Sequence, residues 1–254
     1  MYEKELEFLE RTLKSAYERY AEDHVFVSEK AKFDIVTNID RSIECYFKNE
    51  LEKSFPEDRI LGEEYSSDLD LLDRTWILDP IDGTFNFSVC SQLFGLQAAL
   101  WDNGDLQISS LYLPMLNEFY VAKKNGGAYC NGQRLCVSKR AADNAIVSFG
   151  DLPHARPKDA EDELKMIQKT HSSVAKIRMF GAACIDFAYL ASGKTEAVVL
   201  YTKNKWDLAP GLLLSREAGA LCFNVEGGEY DFDCRGIVAC NSEEIFNLIK
   251  ITEK

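Results

Sequence analysis

Trp76-Ile77-Leu78-Asp79-Pro80-Ile81-Asp82-Gly83-Thr84-Phe85-Asn86-Phe87 is the stretch around which this chain is organised. The apolar run Thr75 to Leu78 has the character of a buried strand. It delivers Asp79 and Asp82 to what reads as one turn, held by Pro80 and loosened by Gly83, with Thr84 directly behind. Two carboxylates at this spacing offer hard oxygen ligands of the kind Mg²⁺ prefers. Backbone N–H groups after Gly83 are free to face a phosphate if a helix starts there, and divalent ions beside a phosphate cradle suit phosphoryl chemistry. Asp, Pro and Gly also make ordinary turns for their own conformational reasons, so the rest of the chain decides between the two readings.

With 254 residues, 46% hydrophobic and 28% charged, the chain has a globular composition and can bury a sizeable core. Its net charge of −13 disfavours duplex nucleic acid or an anionic membrane as a main partner. An anionic substrate then needs local positive charge, which bound cations supply. The eight cysteines include no Cys-x-x-Cys pair, and His24, His154 and His171 have no metal-ligand spacing. Met1 to Glu10 carries four glutamates and no apolar signal core. These features predict reduced, mostly buried thiols in a cytoplasmic protein. No apolar run reaches membrane-spanning length.

Leu6, Leu9, Leu13, Ala16, Tyr17 and Tyr20 recur at helical spacing and predict a helix over 2–22. Ile43, Phe47 and Leu51 predict a second over 40–53, with Thr37 or Asn38 as its cap. Phe94–Trp101, Gln107–Leu113 and Glu118–Ala122 read as strands, followed by a glycine-rich hairpin over 126–132. Helices over 160–172, 183–192, 207–217 and 242–250 then alternate with strands at 176–180, 195–200, near 220 and near 237. Residues 150–160 read as a surface linker. It divides an N-terminal α+β lobe, 1–150, carrying most of the acidic motifs, from a C-terminal α/β lobe, 151–254, within one compact unit. Helices gathered around mixed and antiparallel strands predict a layered α+β sandwich rather than a Rossmann sheet.

Three further segments bear on the acidic stretch. Glu63, in Gly62-Glu63-Glu64, follows the apolar pair Ile60-Leu61 and suits a hard metal at a strand end, although a glutamate pair is more often solvated surface. Asp207, in Trp206-Asp207-Leu208-Ala209-Pro210, stands where a helix begins and reads as an N-cap that can also reach an ion. Asp34 and Thr37 are capping candidates for the second helix, whereas Asp40 lies one turn inside it and is placed to accept a proton, with Thr84 its natural partner. The small residues Gly181, Ala182 and Ala183 open another helix and permit close approach of backbone to ligand, or close helix packing.

Taken in order, D-x-V-T-x-x-D at 34–40, G-E-E at 62–64, W-I-L-D-P-I-D-G-T-x-N-F at 76–87, G-x-A at 181–183 and W-D-x-A at 206–209 resemble the inositol monophosphatase family, within the lithium-sensitive, Mg²⁺-dependent phosphatase superfamily. The resemblance spans nearly the whole chain. It implies the αβαβα sandwich shared with fructose-1,6-bisphosphatase, usually as a homodimer, and hydrolysis of a small phosphorylated metabolite such as inositol monophosphate or a related sugar or polyol phosphate. It implies Glu63, Asp79, the Ile81 carbonyl, Asp82 and Asp207 as ligands for two or three Mg²⁺ ions. The Gly83 and Thr84 amides would hold phosphate oxygens, while Asp82, Gly181, Ala182, Ala183, position 200 and Asp207 would meet the substrate. A water made acidic by Mg²⁺ and oriented by Thr84 would attack, with Asp40 receiving its proton through Thr84.

The chain departs from the pattern at Leu200, where animal inositol monophosphatases carry a glutamate that contacts a ring hydroxyl. Tyr201 or Lys203 can substitute, and Lys203 and Lys205 can instead meet a second phosphate. Phe85 likewise replaces a small or hydroxyl residue. The rival substrates are therefore fructose-1,6-bisphosphate, histidinol phosphate and 3′-phosphoadenosine-5′-phosphate. The alternative of another class is a regulatory binding protein on the same fold, although the acidic balance predicts no direct nucleic-acid contact.

Overall fold

The computed structural model describes residues 1–65, 70–71 and 73–251. Its helices are α1 (Glu3–Tyr20), α2 (Asn38–Ser54), α3 (Thr84–Ser88), α4 (Pro157–Thr170), α5 (Ala183–Ala191), α6 (Lys205–Glu217) and α7 (Glu243–Ile249). The strands run β1 (Val27–Ala31), β2 (Asp34–Thr37), β3 (Arg59–Gly62), β4 (Thr75–Asp82), β5 (Gly95–Asp102), β6 (Asp105–Leu113), β7 (Glu118–Lys123), β8 (Gly127–Cys130), β9 (Gln133–Arg134), β10 (Ile146–Phe149), β11 (Lys176–Arg178), β12 (Ala197–Leu200), β13 (Leu221–Asn224) and β14 (Ile237–Cys240).

β3 to β9 form a seven-stranded sheet in chain order, parallel at β3–β4 and antiparallel from β4 to β9. A five-stranded sheet has the order β11-β10-β12-β14-β13, in which β10, β11 and β12 are parallel. Side chains alternate faces along a strand, and that alternation assigns the layers. Trp76, Leu78, Leu96, Ala98 and Leu100 pack with Phe8, Leu9 and Leu13 of α1 and Ile39, Ile43 and Phe47 of α2. Ile77 and Ala99 point the other way, into a cluster with Ile185 and Phe187 of α5 and Leu208 and Leu212 of α6. Val198, Leu200, Ile237 and Ala239 of the second sheet close that cluster from its far side. Val199, Val238 and Cys240 face outward onto Met166 of α4 and Ile245 and Phe246 of α7. The layers are thus α1–α2, sheet, α5–α6, sheet, α4–α7: the expected αβαβα sandwich.

The middle layer explains the composition of its helices. A helix between two sheets has no solvent face and reads apolar nearly all round, as Ala183-Cys184-Ile185-Asp186-Phe187-Ala188 does. α1 is covered on one side only, so it buries Phe8, Leu9, Leu13 and Ala16 and leaves its glutamates outward.

Several details differ from the sequence expectations. β4 does not turn at Asp79 but continues as strand to Asp82, because β5 goes on pairing with it that far, whereas β3 ends opposite Leu78. α6 starts at Lys205, which puts Asp207 in its first turn rather than at the cap. β10, at Ile146–Phe149, already belongs to the second sheet, so the passage between sheets lies upstream of the 150–160 segment. The β1–β2 hairpin was not foreseen: β1 is exposed throughout and carries no hydrophobic alternation. The eight cysteines are unpaired as expected, but only Cys184 and Cys240 are buried, and Cys45, Cys90 and Cys136 are exposed.

α5 and α6 pack tightly at Gly211, where an added Cβ would lie 2.0 Å from Cδ2 of the buried Phe187. Gly211→Ala is expected to cost about 1–3 kcal/mol through overpacking, read from denaturant midpoints. Unchanged stability would show that the central layer has room to yield.

Candidate active site

The end of β4 places both of its aspartates on one side. Asp79 pairs with Gln97 and Asp82 with Gly95, so β4 spends three steps where β5 spends two. Such a bulge re-aims the side chains beyond it. Its effect is visible in the packing: Trp76 and Leu78 face α1–α2, and after the bulge Ile81 does so too. Asp79 and Asp82 therefore both project toward the α5–α6 side. There Asp82 Oδ2 accepts the Cys184 amide N–H in the first turn of α5, a favourable position for a carboxylate at the positive end of a helix.

α2 supplies two acids from one face. Thr37 caps the helix and Asp40 completes a capping box, its Oδ2 accepting from Thr37 N–H at 2.9 Å and from the Thr37 hydroxyl. The other oxygen, Oδ1, accepts from Thr84 Oγ1 at 3.1 Å. Thr84 Oγ1 is also 3.0 Å from the Ile81 carbonyl. A hydroxyl has one proton, so turning it to Asp40 frees the Ile81 carbonyl for another partner. One turn further along α2, the buried Glu44 accepts from the amides of Glu64 at 2.8 Å and Tyr65 at 3.0 Å. Gly62 lies directly over this carboxyl, where any Cβ would come within 2.3 Å of Oε1. The glutamate pair at 63–64 is thus held in place from below rather than solvated. From above, Lys30 of β1 reaches Glu63 Oε1 at 2.8 Å and Glu64 Oε1 at 2.6 Å.

The second sheet and middle layer supply the opposite wall. Asp207 accepts from Thr202 Oγ1 at 2.9 Å. Asn86 donates to the carbonyls of Leu93 (2.7 Å) and Phe180 (2.8 Å), tying the loop before α5 to α3. Gly181 (φ +72°) and Gly83 (φ +86°) occupy left-handed backbone there. A Cβ on Gly83 would meet that of Ala182 at 2.9 Å.

Glu63, Asp79, Ile81, Asp82, Gly83, Thr84, Gly181 and Asp207 line one cavity of about 930 Å³. Asp40 stands behind Thr84 and is fully buried. Ala182, Ala183 and Leu200 line a smaller chamber of about 190 Å³ that shares Asp82 and Asp207 with it. Lys203 reaches the main cavity, and Lys205 is in the first turn of α6 without lining it. Sequence reasoning missed Glu44, whose function is invisible until the 62–65 loop folds over it, and Asp151, which lines both cavities.

Burial, then the charges of Glu63, Asp82, Asp207 and Asp40, raises Asp79 far above the usual carboxylate range. Asp207 is raised likewise by burial and by Glu63 and Asp82. Burial lifts Glu63 to about 7 against the pull of Lys30, and lifts Asp82 against the amides that it accepts. Asp40 is raised by burial, opposed by Thr37 and Thr84. Among the described residues no three His, Cys, Asp or Glu side chains are drawn into a closed ion cage; the acids are spread around the cavity wall. Their chemistry nevertheless fits Mg²⁺. The donors are all oxygens, and Asp79 Oδ1 is buried with no hydrogen-bond partner.

The inositol monophosphatase family model matches residues 6–254. The chain belongs to that family. It is 31% identical over 230 residues to the fructose-1,6-bisphosphatase/inositol-1-monophosphatase of Thermotoga maritima, covering 90% of this chain and 86% of that protein. It is 34% identical over 222 residues to the Nus factor SuhB of Escherichia coli K12, covering 86% and 82%. Its fold matches the crystal structure of the extragenic suppressor protein suhB from Bartonella henselae with a TM-score of 0.88 at 30% identity, over 96% of each chain. Among the described residues no helix is long and apolar enough to cross a membrane.

Glu44 fixes the loop that carries Glu63; with Glu63 as an ion ligand, Glu44→Ala would weaken Mg²⁺ binding by roughly ten- to a hundredfold, the usual effect of losing a group that orients a ligand. Calorimetric titration reads this directly. Unaltered affinity would mean that the loop holds Glu63 without Glu44.

Proposed function

We propose that this protein is a Mg²⁺-dependent phosphomonoesterase acting on a small phosphorylated polyol or sugar, with inositol monophosphate the leading candidate. The observation that carries this reading is the convergence of Glu63, Asp79, Ile81, Asp82 and Asp207 on one cavity, with the Thr84–Asp40 hydrogen bond at its edge. Two or three Mg²⁺ ions held by these oxygens would supply positive charge for the phosphate and acidify an attacking water.

The remaining roles fall to the chain itself. The amides of Gly83 and Thr84 hold phosphate oxygens. The Thr84 hydroxyl orients the attacking water and passes its proton to Asp40 Oδ1. Burial makes Asp40 a better proton acceptor than an exposed carboxylate, and the Thr37 bonds keep its second oxygen occupied. Ala182, Ala183 and Leu200 bound the space for the leaving group. The acidic composition and unpaired cysteines support a cytoplasmic enzyme, and we expect a homodimer. Lys32 and Lys203 on the cavity wall favour a second reading in which the substrate carries two phosphates, as in fructose-1,6-bisphosphate. The name of the SuhB relative favours an added role with a regulatory protein partner.

Phosphate release from inositol 1-phosphate, fructose-1,6-bisphosphate, histidinol phosphate, 3′-phosphoadenosine-5′-phosphate and glycerol 2-phosphate, with and without Mg²⁺, tests the class. Asp79→Asn, Asp82→Asn and Asp207→Asn should abolish release by weakening Mg²⁺ binding. Thr84→Ala should lower kcat by about two orders of magnitude or more with Mg²⁺ still bound. Full activity of Asp82→Asn at low Mg²⁺ would sink the ligand assignment.

Stability should report the same acids. Glu63 has its folded pKa raised from 4.5 to about 7, so between those values the folded state keeps a proton that the unfolded chain releases. Without divalent ions, this group's contribution to stability is therefore present below pH 4.5 and lost as pH rises toward 7. Mg²⁺ needs the ionised carboxylates, so the rise in Tm on adding Mg²⁺ should grow over the same interval. A Mg²⁺ effect independent of pH would contradict this account.

A further inference from the structure

The smaller chamber opens off the acidic cavity and shares Asp82, Asp151, Gly181, Tyr201, Thr202 and Asp207 with it. At about 190 Å³ it suits one six-membered ring, since a cavity of ~150 Å³ admits benzene. Much of its wall is apolar or small: Gly150, Ala182, Ala183 and Leu200. Four acids touch it, and the reading above gives two of them, Asp82 and Asp207, to the ions. One oxygen of each is already engaged, by the Cys184 amide and by the Thr202 hydroxyl. Both oxygens of Asp186 are sealed from solvent. Asp151 is exposed and has no hydrogen-bond or ion-pair partner recorded among the described residues.

The position of Asp151 follows from the sheet. β10 and β12 are parallel neighbours, with Phe149 opposite Val199 and the Gly150 amide 2.9 Å from the Val199 carbonyl. Leu200 folds over Gly150 so closely that a Cβ there would lie 2.7 Å from Leu200 Cδ2. The two strands therefore end side by side at the chamber, one with an apolar residue and the other, one position later, with a carboxylate. Asp151 lies near enough to Asp82, Asp186 and Glu163 for its charge to help raise the pKa of each.

We infer that the chamber takes the ring of the leaving alcohol and that Asp151 accepts a hydrogen bond from a ring hydroxyl, making it the residue that selects a polyol ester over an apolar one. This rests on the phosphomonoesterase reading above. It assigns to the segment just after β10 a recognition that Leu200 on β12 cannot perform.

The test compares inositol 1-phosphate with cyclohexyl phosphate, the same ring without hydroxyls, as a ratio of kcat/KM values within each enzyme. The unmodified protein should prefer inositol 1-phosphate. Asp151→Ala should lower that preference by about ten- to a hundredfold, the usual effect of losing a hydrogen bond to a charged group, with the change residing in KM for inositol 1-phosphate. Asp151→Asn, which keeps an acceptor oxygen, should retain part of the preference. An equal fall for both esters would overturn the inference, because it would make Asp151 a contributor to the phosphate and ion site rather than a reader of hydroxyls. An unmodified protein without preference would overturn it as well. Mg²⁺-dependent release from another ester of the panel above but from neither of these two would overturn this inference alone, whereas silence across the whole panel would end the phosphomonoesterase reading and this inference with it.

Discussion

Placing Asp79, Asp82, Asp207 and Glu63 around one partly enclosed cavity is the constraint to which the surrounding structure answers. Carboxylates removed from water favour their neutral form, and each additional negative neighbour strengthens that tendency. The fold meets this cost with fixed dipoles and donors where it can. Asp82 receives the amide of Cys184 at the start of α5, Asp207 the hydroxyl of Thr202, Asp40 the Thr37 cap, and Glu63 the Lys30 ammonium. Asp79 has an oxygen left without a donor. A site arranged in this way is far better suited to divalent cations than to any neutral ligand, and that follows from electrostatics alone.

The architecture serves the same end. A bulge of one residue in β4 turns Asp82 to the side already occupied by Asp79, while Ile81 takes the core position that strict alternation would have given its neighbour. The middle layer, α5 and α6, then brings an amide-bearing helix start and Asp207 to that edge from opposite directions. Because both helices are enclosed by sheets, their position is set by tight packing such as that of Gly211 on Phe187. α2 couples the two halves of the acidic wall, since Asp40 and Glu44 lie one turn apart on the same helix and hold Thr84 and the Glu63 loop respectively.

Much of this was legible in the chain. The periodicity of α1 and α2, the alternating strands from β5 to β7, and the apolar character of α5 and α6 are direct consequences of which faces are buried. The acidic motifs were legible because hard-metal chemistry calls for oxygen ligands beside glycine-opened backbone. What escaped notice lacked a local signal. β1 is solvent-exposed on both faces, so nothing in its composition marks it as a strand. Glu44 reads as an ordinary polar residue of an amphipathic helix, and Asp151 as a loop residue before Pro153.

By itself the sequence determined the layer types, the motifs that carry Glu63, Asp79, Asp82 and Asp207, and the capping of α2, since each depends on residues close in the chain or on a hydrophobic period. Tertiary structure alone decided which side of β4 Asp82 faces, which amide it accepts, what lies beneath Gly62, and which strand end meets the smaller chamber. Those outcomes depend on contacts between segments far apart in sequence, such as Asp82 with Cys184 or Gly150 with Leu200. No local pattern encodes the register in which such segments finally meet.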